Sequence, residues 1–238
     1  MSKVDDTRRD FLKGAVLGSA AAATAGAPLA GLAQSAPAAS HAPAAPLRGY
    51  QYLRPAESAF VEALVDHMVP ADALSPSGTG LGINTFIDRA LAGSWGRGDR
   101  LYRQGPWKTG VPSQGYQLPL TPAELYRAGV AATNAHCVKT YGKPFDGLAA
   151  AQKEEVLKGL EGGTIAFEKG PPSRAFFVIA YQTVMEGMFA DPIHGGNAGK
   201  AAWKMIGFPG VIATHTRNIV TYKNKRYAEE PLGIADVS

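Results

Sequence analysis

The chain has 238 residues, 24 Lys and Arg against 20 Asp and Glu, and a formal charge of +4. That length suffices for one domain with a substantial core, and the charge is too small to argue for nucleic acid. A single cysteine, Cys137, excludes an internal disulfide, a Cys-x-x-Cys-His haem attachment and a cysteine-held iron–sulfur cluster.

Residues 1–33 read as a twin-arginine signal peptide. Arg8 and Arg9 stand just before the apolar pair Phe11-Leu12 and Lys13, and an uncharged Ala/Gly-rich stretch runs from Gly14 to Ala33. Ala and Gly gain little from lipid, so this stretch is a poor permanent anchor despite its length. Gly31-Leu32-Ala33 supplies small residues for cleavage after Ala33. Cleavage removes four basic residues and three acidic ones, leaving a charge of +3. Residues 34–49, rich in Ala, Pro and Ser, read as a flexible linker, and 50–238 as a single helical domain. Twin-arginine export carries folded proteins, so the chain either holds a cofactor or travels with a partner that does.

From there the periodicity is helical. Pro55 suits a first turn, and Phe60, Val61, Leu64, Val65 and Met68 recur at spacings of three and four until Pro70. Gly78-Thr79-Gly80-Leu81-Gly82 lacks the last glycine or alanine of a dinucleotide fingerprint and follows no strand pattern, so it is a loop. Asn84 is the expected N-cap of a second helix, with Phe86, Ile87, Ala90, Leu91 and Trp95 on one face. Thr121-Pro122-Ala123-Glu124 predicts a capping box, followed by a stripe of Tyr126, Val130, Cys137 and Tyr141. A fourth helix is expected at about 150–161, stopped by Gly162-Gly163. A fifth spans 174–190 behind Ser173 and is apolar on more than one face, which predicts a central or partner-covered position. A short last helix follows Asn197, across 197–206. The fold class is all-α, a single irregular helical bundle.

Two stretches depart from this pattern, 96–120 and 191–214. Loops of such length inside a domain tend to be functional or disordered, and Trp107, Tyr116, Trp203 and Phe208 argue for order. They are expected to be ordered loops that wrap over another protein, with Trp107 and Trp203 at that contact or directly beneath it.

Reactive candidates are few. Cys137 lies on the apolar stripe, late in its helix, and reads as a packed thiol. His67 near a helix C-terminus is accounted for by the macrodipole. Glu186 in the fifth helix either pairs with a cation or faces solvent. His194-Gly195-Gly196-Asn197 reads as a turn, with Asn197 capping the next helix and the loop serving as a docking surface. Lys223, Lys225 and Arg226 form a solvated basic face, with contact to a membrane surface a lesser option.

Two long strings carry a family resemblance. One is Tyr102-Arg103-Gln104-Gly105-Pro106-Trp107 with Gln114-Gly115-Tyr116 through Arg127. The other is Phe189-Ala190-Asp191-Pro192 with Gly195-Gly196-Asn197 and Trp203 through Gly210. With the Arg8-Arg9 start, they resemble the gluconate 2-dehydrogenase subunit 3 family, the gamma or small subunits. His194 stands where Tyr is expected.

The resemblance implies a noncatalytic small subunit of a periplasmic, membrane-associated complex. An FAD-containing large subunit would oxidise gluconate and a multihaem cytochrome c would carry the electrons, with no cofactor in this chain itself. It also implies that this chain stabilises the flavoprotein and supplies its export signal. Trp107, Tyr116, Pro192, His194, Asn197, Trp203 and Phe208 are then the expected partner interface. Related small subunits serving fructose, glucose, sorbitol or 2-ketogluconate dehydrogenases are the nearest alternative. A self-contained periplasmic metal-binding protein or hydrolase using His67, His136 and His194 is the alternative of another class.

Overall fold

The computed structural model describes residues 49–108, 110–111, 114, 117–211 and 215–238. The expected signal segment 1–33, the expected linker up to residue 48 and Tyr116 lie outside the described residues. Among the described residues the architecture is all-α: eight helices and three 3-10 turns, with one isolated parallel bridge between Gly210 and Leu232.

Helix α1 (Pro55–Met68) opens with Pro at its first position, and Glu57 accepts the Arg54 N–H at 3.0 Å. Phe60, Val61, Leu64 and Val65 are buried, as their spacing predicts. The glycine run that follows is a loop. Its Thr79 N–H and hydroxyl both bind Asp66, at 2.7 and 2.9 Å. A Cβ at Gly78 would stand 2.3 Å from the Val65 carbonyl oxygen, so only glycine fits there.

Helix α2 (Ile83–Ala92) departs from its expected start. Gly82, in the left-handed region at φ 75°, occupies the N-cap position. Asn84 lies inside the helix, and its amide donates to the Tyr50 hydroxyl at 2.6 Å. The reason is tertiary: a Cβ at residue 82 would sit 2.5 Å from the Gly195 carbonyl, so the chain turns on glycine. Trp95 is also outside the helix, which ends at Ala92 with Gly93 as its cap.

Helix α3 (Pro122–Tyr141) carries the expected capping box. The Glu124 N–H donates to Thr121 Oγ1 at 3.2 Å, and the Thr121 N–H donates to Glu124 Oε2 at 2.7 Å. After a 3-10 turn at Phe145–Gly147, helix α4 (Ala150–Gly162) buries Val156, Leu157 and Leu160 and ends on left-handed Gly163. Helix α5 (Ser173–Phe189) packs against α2, α3 and α4 and is the central element. Ser173 is its first residue, and Pro172 holds the cap position.

The core is an aromatic stack across three helices. Phe60 on α1 lies 4.7 Å from the Phe145 ring and 6.1 Å from Phe176 on α5; Tyr126 on α3 meets Phe176 edge-on at 5.6 Å. Gly129 lets α3 approach: a Cβ there would fall 2.1 Å from the Phe176 ring. Removing an aromatic from such a stack costs ~3–5 kcal/mol.

The helix expected at 197–206 is a 3-10 turn (Ala198–Lys200) running into α6 (Ala201–Ile206). It is not the last. Two short helices follow, α7 (Thr216–Thr221) and α8 (Ile234–Val237). No helix among the described residues is long and apolar enough to cross a membrane.

Candidate partner-docking surface

Residues 190–211 are assembled by backbone-directed side chains. The Asp191 carboxylate accepts the Ile193 N–H at 3.0 Å and, through its other oxygen, the Ile234 N–H at 2.8 Å. One side chain thus starts the 3-10 turn Pro192–His194 and pins the C-terminal helix to it. Gly196 lies so close to α5 that a Cβ would stand 2.0 Å from the Gly187 carbonyl oxygen.

Asn197 is fully buried, in the left-handed region at φ 48°. Its amide donates to the Ala190 carbonyl at 3.1 Å, and its Oδ1 accepts the Ala202 N–H at 2.9 Å. Sequence spacing expected a cap at the helix start; the observed cap reaches five residues forward and closes the whole turn. Trp203 is 5% exposed, donates its indole N–H to the Phe189 carbonyl at 2.8 Å and meets Phe208 edge-on at 5.2 Å. Both residues organise this surface from within the chain.

The C-terminal segment completes the unit. The Val211 N–H donates to Leu232 at 2.8 Å, and the Leu232 N–H returns to Pro209 at 3.1 Å. Lys200 pairs with Asp236 at 2.5 Å and Lys204 with Glu230 at 2.8 Å. What this frame leaves in solvent is apolar: Ile193 is 50% exposed and Ile206 57%, with Met205 and Ile234 also open. His194 is exposed beside them, while Pro192 and Phe208 are half-buried.

The other irregular stretch runs from α2 to α3. The Ala123 N–H donates to the Gly96 carbonyl at 3.0 Å, and Arg103 reaches the Pro119 carbonyl and the Glu124 carboxylate. Trp107, Tyr102 and Val111 are exposed.

Sequence reading missed the residues that anchor the domain entrance. Asp88 on α2 is buried and accepts the backbone N–H groups of Gln51, Tyr52 and Leu53 at 2.7, 2.9 and 2.9 Å. Arg127 on α3 pairs with Glu57 at 2.7 Å, binds the Tyr52 carbonyl and lies over the Tyr52 ring at 4.1 Å. No local pattern singled out Asp88, whose helix neighbours three and four residues back are the polar Thr85 and Asn84.

The groups with reactive chemistry are dispersed. Cys137 is fully buried, and burial pushes its thiol up to about 11, so it is not a thiolate at neutral pH. His67 pairs with Glu154 at 3.0 Å. His136 lines an open groove beside Lys139 and Glu168, on the face of α3 that meets residues 166–170. Glu186 is exposed and accepts the Gln182 amide at 2.7 Å. His67, His136 and His194 are not brought together, and no group of three or more His, Cys, Asp or Glu among the described residues is arranged to hold a metal.

Residues 55–210 match the family described as Gluconate 2-dehydrogenase subunit 3. No curated protein and no solved structure matches the chain.

Proposed function

Since the chain belongs to the gluconate 2-dehydrogenase subunit 3 family, the subunits of a dehydrogenase complex, we propose that it is the noncatalytic small subunit of a periplasmic FAD-dependent gluconate 2-dehydrogenase. It stabilises a flavoprotein large subunit, which holds the FAD, and works beside a multihaem cytochrome c that takes the electrons. Through Arg8 and Arg9 it supplies the twin-arginine signal for the folded pair, and the assembled complex sits peripherally on the inner membrane.

One observation carries the docking role: residues 190–211 are locked by buried polar contacts yet present Ile193, Met205 and Ile206 to solvent. Exposed apolar groups on a rigid frame, with aromatics packed behind them, suit an interface whose centre is dry. The scatter of its histidines and the buried thiol favour a scaffolding role over a catalytic one.

The test is isolation of the chain from native membranes, followed by an absorbance spectrum. Co-purified flavin and c-type haem, both absent from the chain expressed alone, support the reading. Recovery of the chain alone from intact membranes would overturn it. Export is tested by Arg8→Lys with Arg9→Lys. Both this chain and the flavoprotein should then stay in the cytoplasm; a flavoprotein still exported in normal amounts would refute the shared signal.

A further inference from the structure

Beyond residue 210, where the family match ends, the chain builds a small aromatic and polar unit. His215 is buried and its Nε2 lies 3.1 Å from the Pro209 carbonyl oxygen. Asn218 reaches His215 at 3.1 Å and the Tyr227 hydroxyl at 3.4 Å. Tyr227 stands edge-on to both His215 and Tyr222, and the Tyr222 hydroxyl donates to Glu229.

These contacts give α7 an inner and an outer side. Asn218 and Tyr222, four residues apart, share the inner face. Ile219 and Val220 are left outward, 74% and 80% exposed, higher than any other Ile, Leu or Val among the described residues. Lys223 follows Ile219 by one turn, and its N–H still bonds the Val220 carbonyl.

The charged side chains within residues 217–226 are all of one sign. Arg217, Lys223, Lys225 and Arg226 are exposed, and none forms an ion pair with a described residue. The two nearest acids in sequence lie beyond the segment: Glu230 pairs with Lys204, and Glu229 accepts from the Tyr222 hydroxyl and keeps its charge, one acid against four cations. Four cations without an ion pair, in the same short segment as a solvent-exposed Ile-Val pair, match the chemistry of a membrane-surface contact, with apolar side chains below the headgroups and cations at them. A protein interface fits less well, because lysine is depleted there and aromatics and arginine do most of the anchoring.

We propose that residues 217–226 form an anionic-phospholipid contact, in which Ile219 and Val220 enter the headgroup region and Arg217, Lys223, Lys225 and Arg226 bind lipid phosphates. The site belongs to this chain and is independent of the partner reading above. Each cation near an anionic leaflet tightens binding about five-fold, so the cluster acts as a reversible contact that adds to any other membrane attachment of an assembly.

Co-sedimentation of the full chain with vesicles tests it, comparing phosphatidylglycerol mixed into phosphatidylcholine with phosphatidylcholine alone. The wild type should bind only the anionic vesicles, with affinity falling as salt rises. Ile219→Ser with Val220→Ser, and separately Lys223→Glu with Lys225→Glu, should each weaken binding at least ten-fold. Melting temperature should not change, since all four side chains are exposed. The first 48 residues are common to every variant, so a difference between them reports on 217–226. Equal binding to both vesicle types, or variants that bind as well as wild type, would overturn the proposal. So would variants that keep vesicle binding but lose capture of dehydrogenase subunits in detergent, which would assign the patch to a protein partner.

Discussion

The carboxylate of Asp88 accepts the backbone N–H of Leu53 at 2.9 Å, across thirty-five residues of sequence. With Gln51 and Tyr52 bound to the same side chain, the entrance to the domain is fastened to the second helix before the first helix begins. Hydrogen bonds to a charged acceptor contribute ~1.5–3 kcal/mol each, and a buried carboxylate that lost them would be costly.

Asp88→Asn keeps the shape but removes the charge and leaves one acceptor oxygen and one donor where two oxygens accepted three N–H groups. Stability should fall by about 2–4 kcal/mol, read as a lower urea midpoint with little change in slope. Amide exchange at residues 51–53 should accelerate more than in α5. A midpoint equal to wild type would mean that this clamp is dispensable.

Acid titration isolates the ion pair between Glu57 and Arg127. Burial works to raise the Glu57 carboxyl, but the Arg127 guanidinium and the Arg54 N–H together hold it below its ordinary value of 4.5. A lowered native value gives stability that is complete above the unfolded value and is lost as pH falls through the native one. Glu57→Gln should therefore cost about 1 kcal/mol at neutral pH, discounted for the partial exposure of Arg127, and show a shallower loss of stability below about pH 5. Parallel acid-unfolding curves for the two proteins would count against the pair.

Trp203 and Ile206 lie three residues apart on α6 and should fail in different ways. Trp203→Ala empties a buried site and frees the Phe189 carbonyl, so the subunit itself should lose ~3–5 kcal/mol. Ile206→Asp, at a side chain 57% exposed, should leave the melting temperature unchanged and weaken association with the proposed flavoprotein partner by ten-fold or more. Intact association in Ile206→Asp would move the interface away from this segment.

Cys137 should resist iodoacetamide in the native protein at pH 8 and react fully once urea unfolds it, because burial keeps it a neutral thiol. Cys137→Ala should leave turnover of the assembled complex within several-fold of wild type. A loss of ~10²-fold or more with assembly intact would assign this subunit a chemical role.

Local rules carried a large part of the fold. The Thr121–Glu124 capping box, the Gly163 stop of α4 and the buried stripe of α1 are each decided within four or five residues, by caps and helical periodicity that any reader of the sequence can apply. The two long family strings were legible because no generic pattern produces them. The start of α2 was not legible: Asn84 is the better local cap, but Gly82 takes the position since another loop's carbonyl comes within reach of any Cβ there. For the same reason Asn197 closes a turn five residues ahead of itself, and Trp203, indistinguishable in sequence from the exposed Trp107, is drawn inside by the Phe189 carbonyl. Asp88 likewise reads as one more polar residue beside Asn84 and Thr85 until the segment 51–53 is folded over it. The sequence alone therefore determined the main helical segments and the family, though not the two short helices at 216–221 and 234–237. Which polar and aromatic side chains end up buried depended on contacts between residues far apart in the chain, and only the tertiary structure could decide it, because burial is a property of what packs against a residue and not of its neighbours in sequence.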